Sequence, residues 1–150
     1  MNRCLSIVFA ALIMAAGSVS VLGQGAATTE KLATGTYIVY AISPQAWRFT
    51  VDSRTMANAA VAGHFSITEG NPKNIEVMVF NEDNFFKWRG DDAAAKAAAK
   101  PIFTTGRKTE GDVSVKLPDA GNYYLVLSNS FAYEGTKTLN ADFKLTFDKK

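Results

Sequence analysis

The residues able to do chemistry in this chain are few, and their spacing excludes most reaction classes. His64 is the single histidine. One imidazole supplies neither a His-based zinc site nor a Ser-His-Asp set. The expectation is an ordinary strand histidine, opposite Phe65 on the more polar face. Glu82, Asp83, Asp91 and Asp92 flank an aromatic segment, where carboxylate oxygens could hold Ca²⁺. Their spacing fits no calcium-loop template, and solvated loop acids plus a helix cap are the plainer reading. No carboxylate pair stands in a general acid/base context, and Gly111 and Gly121 sit in ordinary turns, outside any phosphate-binding loop. The chain is therefore expected to be no enzyme and to carry no cofactor or metal.

What remains is contact chemistry. In the segment 81–90, Phe86 and Trp88 would share one face of an extended chain, with Phe85 and Lys87 on the other. Such rings either plug the end of a β-sandwich or leave Trp88 or Phe85 exposed beside Arg89 as a contact for another molecule. Phe85, Trp88, Arg89 and, in the loop around Glu134, Tyr133 are the candidate binding residues.

The compartment follows from the first residues. Asn2-Arg3 makes a cationic head, Leu5 to Ala16 is apolar, and small residues follow. That order reads as a signal peptide over residues 1–23, cleaved before Gln24, with an apolar run too short to span a bilayer. Cys4, the only cysteine, falls within it. The mature chain is expected to lack a thiol, which removes disulfides and thiolate metal sites. It must then be held by its apolar core, for which roughly 125 residues suffice. The chain has 16 Lys+Arg against 14 Asp+Glu. Losing Arg3 leaves 15 against 14, a net charge of +1. No basic run points to nucleic acid or to an anionic membrane surface, and no second apolar stretch of spanning length follows. The expectation is export to the periplasm or beyond.

The elements that must position the candidates read as strands. Residues 24–36, rich in Ala, Thr and Gly, are expected to form a flexible N-terminal arm, and residues 37–150 the folded domain. Tyr37 to Ile42 is apolar on both faces, as in a strand covered on both sides, and Ser43-Pro44 breaks it. Trp47, Phe49 and Val51 alternate with polar residues. Asp52 to Asn58 looks like a loop. Val61, Gly63, Phe65 and Ile67 share a face, and 69–72 is a turn. Ile75 to Phe80 is apolar on both sides, which places it inside a sheet. Asp91-Asp92 can cap the Ala/Lys run 93–100, which Pro101 ends. This is the one helix expected, a surface insertion. A short strand at 102–105 and another at 113–117 precede the stretch 119–129, whose residues Tyr123 to Leu127 are apolar on both faces. In the final strand Leu139, Ala141, Phe143, Leu145 and Phe147 point one way. About eight short strands with frequent turn signals predict an all-β, antiparallel β-sandwich or jelly roll.

Gly121-Asn122-Tyr123-Tyr124-Leu125-Val126-Leu127-Ser128-Asn129-Ser130-Phe131, followed by Lys137-Thr138-Leu139 and Phe143, resembles the end of the GOLD (Golgi-dynamics) domain. In that family a Gly-x-Tyr strand runs into a Phe-Ser-Asn corner, and a Lys begins the last strand. Val61 to Phe65, then Ile75 to Val79, is similar to its glycine-aromatic strand and the next partner. Two features depart from the family. Val126 stands where the family has a cysteine, and the receptors' coiled coil, membrane span and cytoplasmic tail have no counterpart. The resemblance implies a sandwich fold and a protein-interaction role in a stand-alone exported protein of bacterial type.

Three functions remain. The preferred one is an exported, non-catalytic binding module that contacts a protein or cell-envelope component through loop residues. The others are a small secreted hydrolase or lyase on a sandwich scaffold, and a structural subunit that self-associates through the apolar strand Tyr37 to Ile42.

Overall fold

The alternation read in the final strand decides how the two layers face each other. Phe143 and Leu139 are fully buried and Leu145 nearly so, while Asn140 on the opposite face is exposed. Each such side chain contributes about 1.5–3 kcal/mol by leaving water, so one face is committed to a core. The computed structural model describes residues 27–132 and 134–150; the expected signal peptide and Tyr133 lie outside them.

The described chain forms β1 (Ala27–Tyr40), β2 (Gln45–Val51), β3 (Met56–Glu69), β4 (Ile75–Asn81), α1 (Glu82–Arg89), α2 (Ala93–Ala98), β5 (Phe103–Lys108), β6 (Glu110–Lys116), β7 (Gly121–Ser128) and β8 (Thr136–Lys149). Two four-stranded sheets pack face to face, in the orders β1-β8-β3-β6 and β2-β7-β4-β5. All pairings are antiparallel. This interleaved order of eight strands is that of a jelly roll, as the strand pattern led one to expect. Between the sheets lies one continuous core that includes Val39, Val61, Phe65, Val77, Leu125, Leu127 and Phe143.

Three close fits set that core. Gly63 sits on the inner face of β3 against β8, where an added Cβ would come within 2.3 Å of the Asp142 carbonyl oxygen and 2.6 Å of Phe143 Cδ1. No side chain fits there. The Tyr123 hydroxyl donates to the Asp119 carbonyl oxygen at 2.7 Å, which closes the turn before β7; burial raises the pKa of this phenol. Lys137 occupies an inward position of β8. It is 2% exposed, and its Nζ donates to the carbonyl of Pro72. Its aliphatic stem continues the apolar row of β8 while the ammonium finds an oxygen.

Four expectations need correction. Residues 27–36 are not an arm, because they form the first ten residues of β1 and pair with β8 from Ala27↔Asp148 onward. Thr34 and Thr36 donate across the ladder to Asp142 at 2.9 Å and Asn140 at 2.8 Å, the cross-strand pairing that suits β-branched residues. The stretch from Tyr37 is not covered on both sides. Val39 is buried, whereas Ile38 and Tyr40 are 50% exposed and Ile42 is 91% exposed. The loop after β2 is shorter than expected, since β3 begins at Met56. The described residues form two helices, and the one not expected, α1, spans the aromatic segment.

Candidate functional site

The segment 82–89 coils because its ends are capped and one side of the coil is apolar. Asn81 Oδ1 accepts from Asn84 N at 3.0 Å, which satisfies one of the free amides of the first turn. Glu82 and Asp83 lie in the first turn and Arg89 and Lys87 in the last, matching the helix dipole at both ends. Phe85 and Trp88, three residues apart, fall on one side. An isolated helix of this length would be marginal; docking on the sheet holds it.

The dock is the outer face of the second sheet. Met78 and Phe80 of β4 and Val126 of β7 are buried there together with Phe85, with Tyr124 and Trp88 packed against them. Phe85 stacks on Tyr124 with ring centroids 3.8 Å apart and an interplanar angle of 4°, and Trp88 lies 5.4 Å from Phe80. At the helix start Glu82 is held by Arg48 at 3.3 Å and by Asn122 Nδ2 at 3.0 Å. The helix is thus tied to β2 by an ion pair, to β7 by a hydrogen bond, and to β4 and β7 by aromatic packing.

Helix α2 is anchored in turn. Asp92 Oδ1 accepts from Ala94 N at 2.8 Å and from Ala95 N at 3.1 Å, the cap expected for the Ala/Lys run. Beyond its end, Lys100 N donates to Asn84 Oδ1 at 3.0 Å, so the second helix is pinned to the first.

Tyr133 lies outside the described residues, and the three other candidates separate. Phe85 is 4% exposed and serves as the wedge under α1; it is not a contact residue. In a helix Phe86 leaves the face of Trp88, and its ring is 58% exposed. Trp88 is half-buried and Arg89 is exposed, and both line a pocket of about 170 Å³. The other walls are Ile42 and Pro44 from the β1–β2 connection, Lys96 of α2 and Ser130 after β7. Sequence reasoning brought only Trp88 and Arg89 to this place. Ile42-Ser43-Pro44 did carry a signal: a large apolar residue directly before a chain break has no strand partner to cover it.

The pocket carries positive charge. Arg89 and Lys96 line it, no carboxylate does, and neither cation belongs to an ion pair among the described residues. Ser130 adds a hydroxyl. Ser128 is fully buried, and its Oγ accepts from Ser130 N at 3.1 Å and stands 2.8 Å from Ser130 Oγ. Beside the pocket, Tyr40, Ala41 and Ile42 line a second hollow of about 250 Å³ with Glu134 and Thr136. Ile38, Tyr40 and Ile42 therefore form an exposed apolar ridge that runs from β1 to the pocket mouth.

The remaining chemical groups are accounted for elsewhere. His64 is exposed on the outer face of β3, as expected, with Nδ1 2.9 Å from Asp112 Oδ1 of β6. Asp112 is its side-chain hydrogen-bond partner, and no hydroxyl is hydrogen-bonded to this ring among the described residues. Of the loop acids, Glu82 is engaged by Arg48 and Asn122, and Asp92 caps α2. Among the described residues no cluster of three or more His, Cys, Asp or Glu is placed to hold a metal ion, and no helix is long and apolar enough to cross a membrane. The Asp52 carboxyl is lowered to about 2 by the Arg54 side chain and backbone, and that of Asp142 is lowered by Lys144 and Thr34. Both shifts come from surface partners.

No family model matches the chain, and no curated protein matches it. Among solved structures, the crystal structure of PliG from Aeromonas hydrophila, a periplasmic lysozyme inhibitor of g-type lysozyme, shows a likeness. The identity is 14% over 81% of this chain and 87% of that chain, with a TM-score of 0.36.

Proposed function

We propose that this chain is an exported, non-catalytic binding module that recognises a protein or cell-envelope component at the pocket between α1, α2 and the β1–β2 connection. The observation that carries the reading is the meeting of Trp88 and Arg89 with Lys96 and the exposed Ile42 in one concavity. An aromatic and an arginine beside exposed apolar residues are the make-up of a contact centre. The resemblance of residues 121–139 to the GOLD domain belongs to the same proposal, since it implies a sandwich used for protein contacts. Export rests on the leader-like pattern of residues 1–23.

The test is capture of partners from envelope extract by wild type and by Trp88→Ala, Arg89→Ala and Ile42→Asp variants. Loss of the same captured species by all three supports the site. Equal recovery by wild type and all three variants would overturn it.

One observation favours a second reading. Among the described residues β1 is an edge strand bonded to β8 alone, and it carries the exposed Ile38 and Tyr40. Such an edge can pair with a second copy. Light scattering at high concentration decides: self-association predicts a dimer that Tyr40→Lys dissolves, and a concentration-independent monomer removes this reading.

A further inference from the structure

The pocket at Trp88 has a chemical polarity that narrows what it can hold, and this step rests on the binding reading above. Three of its six lining residues are aromatic or apolar: Trp88, Pro44 and Ile42. The others are polar. Arg89 brings a planar fork of N–H groups and Lys96 three ammonium protons, neither with any acceptor capacity. Ser130 adds a hydroxyl, which can donate or accept. Ser128 is fully buried, and its Oγ already accepts from the Ser130 amide. Ser130 Oγ lies 2.8 Å from Ser128 Oγ, and either hydroxyl can donate in that pair. Two charged donors and this hydroxyl face a space that no carboxylate lines among the described residues.

We infer that the pocket takes a carboxylate on an aliphatic stem, the side chain of a glutamate presented by a loop of a partner protein. An ionised carboxylate is an acceptor-only group that matches this donor set, and its bonds to Arg and Lys are of the stronger, charge-assisted kind. The space, about 170 Å³, exceeds a bare carboxylate, since a water molecule occupies about 30 Å³ of liquid. It leaves room for methylenes against Trp88, Pro44 and Ile42. A free small acid would leave the ridge of Ile38, Tyr40 and Ile42 in water. A protein surface that delivers the glutamate covers that ridge as well, and this selects a protein as the occupant.

The test is an NMR titration of the isotope-labelled full chain with three probes: acetyl-leucyl-glutamyl amide, its glutaminyl counterpart, and inorganic phosphate. The glutamyl peptide is expected to shift the Trp88 indole and the amides of Arg89, Lys96 and Ser130, with a dissociation constant on the order of millimolar. The glutaminyl peptide is expected to bind roughly tenfold more weakly, because it loses the charge-assisted bonds. Arg89→Gln and Lys96→Gln, both exposed positions that leave the fold intact, should each weaken the glutamyl peptide several-fold. Equal binding of the two peptides at the pocket overturns the carboxylate inference and leaves a Trp88-centred contact surface standing. Phosphate shifting the same resonances as strongly as the glutamyl peptide overturns it also, and so does the absence of any shift at the pocket. Should the peptides discriminate as expected while partner capture ignores Trp88→Ala, Arg89→Ala and Ile42→Asp, the binding reading fails and the pocket's chemistry stands.

Discussion

Replacing Phe85 with alanine removes the ring that joins α1 to the second sheet. The ring is 4% exposed, stacks on Tyr124 at 3.8 Å and lies 6.4 Å from Phe80 and 6.2 Å from Trp88. Buried Phe→Ala changes cost about 3–5 kcal/mol. The low end applies, about 3 kcal/mol, because this cluster is a satellite of the main core and one side of it can collapse onto the sheet. The loss has two routes. If α1 stays docked, the whole domain loses that stability. If docking is weaker than that, α1 detaches first, since eight residues retain little helix alone, and the loss stops at the docking free energy. Urea unfolding followed by far-UV circular dichroism separates the routes when combined with tryptophan emission in a Trp47→Phe background, which isolates Trp88. With a urea slope of about 2 kcal/mol/M, the first route moves the midpoint by about 1.5 M. The second moves it less and red-shifts Trp88 before any denaturant is added. Phe86→Ala, at an exposed ring, should change stability by no more than about 0.5 kcal/mol. An unchanged midpoint together with unchanged Trp88 emission in Phe85→Ala would show that the ring is not the wedge under α1, and would return Phe85 to the candidate contacts.

Further outcomes follow from the same geometry. Gly63→Ala forces a methyl group to within 2.3 Å of the Asp142 carbonyl oxygen; overpacking costs about 1–3 kcal/mol, and thermal unfolding should show a loss at or above that range although only one carbon is added. Tyr123→Phe removes the bond to the Asp119 carbonyl while keeping the ring, so a loss of about 0.5–1.5 kcal/mol is expected by urea titration, and no loss would mean that the bond does not hold the turn. Asp52 has its pKa lowered to about 2 by Arg54. A depressed carboxyl contributes stability that is complete above its unfolded value, near 3.9, and disappears as pH falls toward 2. Wild type should therefore lose more stability than Asp52→Asn between about pH 4 and pH 2, and parallel stability curves over that interval would contradict the pairing with Arg54.

Much of the sheet structure is legible in the chain because a strand's period of two is a local property. Phe143, Leu145 and Phe147 declare an inner face without reference to any other segment, and Tyr123 to Leu127 declare a strand covered on both sides. The misses have physical causes. Residues 27–36 carry few apolar side chains, and what makes them a strand is the ladder to β8 more than a hundred positions away. The segment 82–89 permits either reading of its rings. As an extended chain it pairs Phe86 with Trp88; as a helix it pairs Phe85 with Trp88. The capping signs (Asn81 before the helix, Glu82 and Asp83 in its first turn, Lys87 and Arg89 in its last) favour the coil, and the apolar outer face of β4 and β7 decides for it.

By itself the sequence determined an all-β sandwich held without cysteine, a leader-like start, and the absence of a second histidine or a recognisable catalytic set. These follow from residue types and short-range periodicity, which need no partner to be read. Only the tertiary structure decided that Phe85 is a support while Trp88 and Arg89 form a wall, and that Ile42, Pro44, Lys96 and Ser130 complete it. The pocket draws on the β1–β2 connection, the successive helices α1 and α2, and Ser130 after β7, three stretches far apart in the chain. Its shape and charge exist only once the strands between those segments have paired, because the spacing that brings two cations to one apolar concavity is set by sheet register and helix docking.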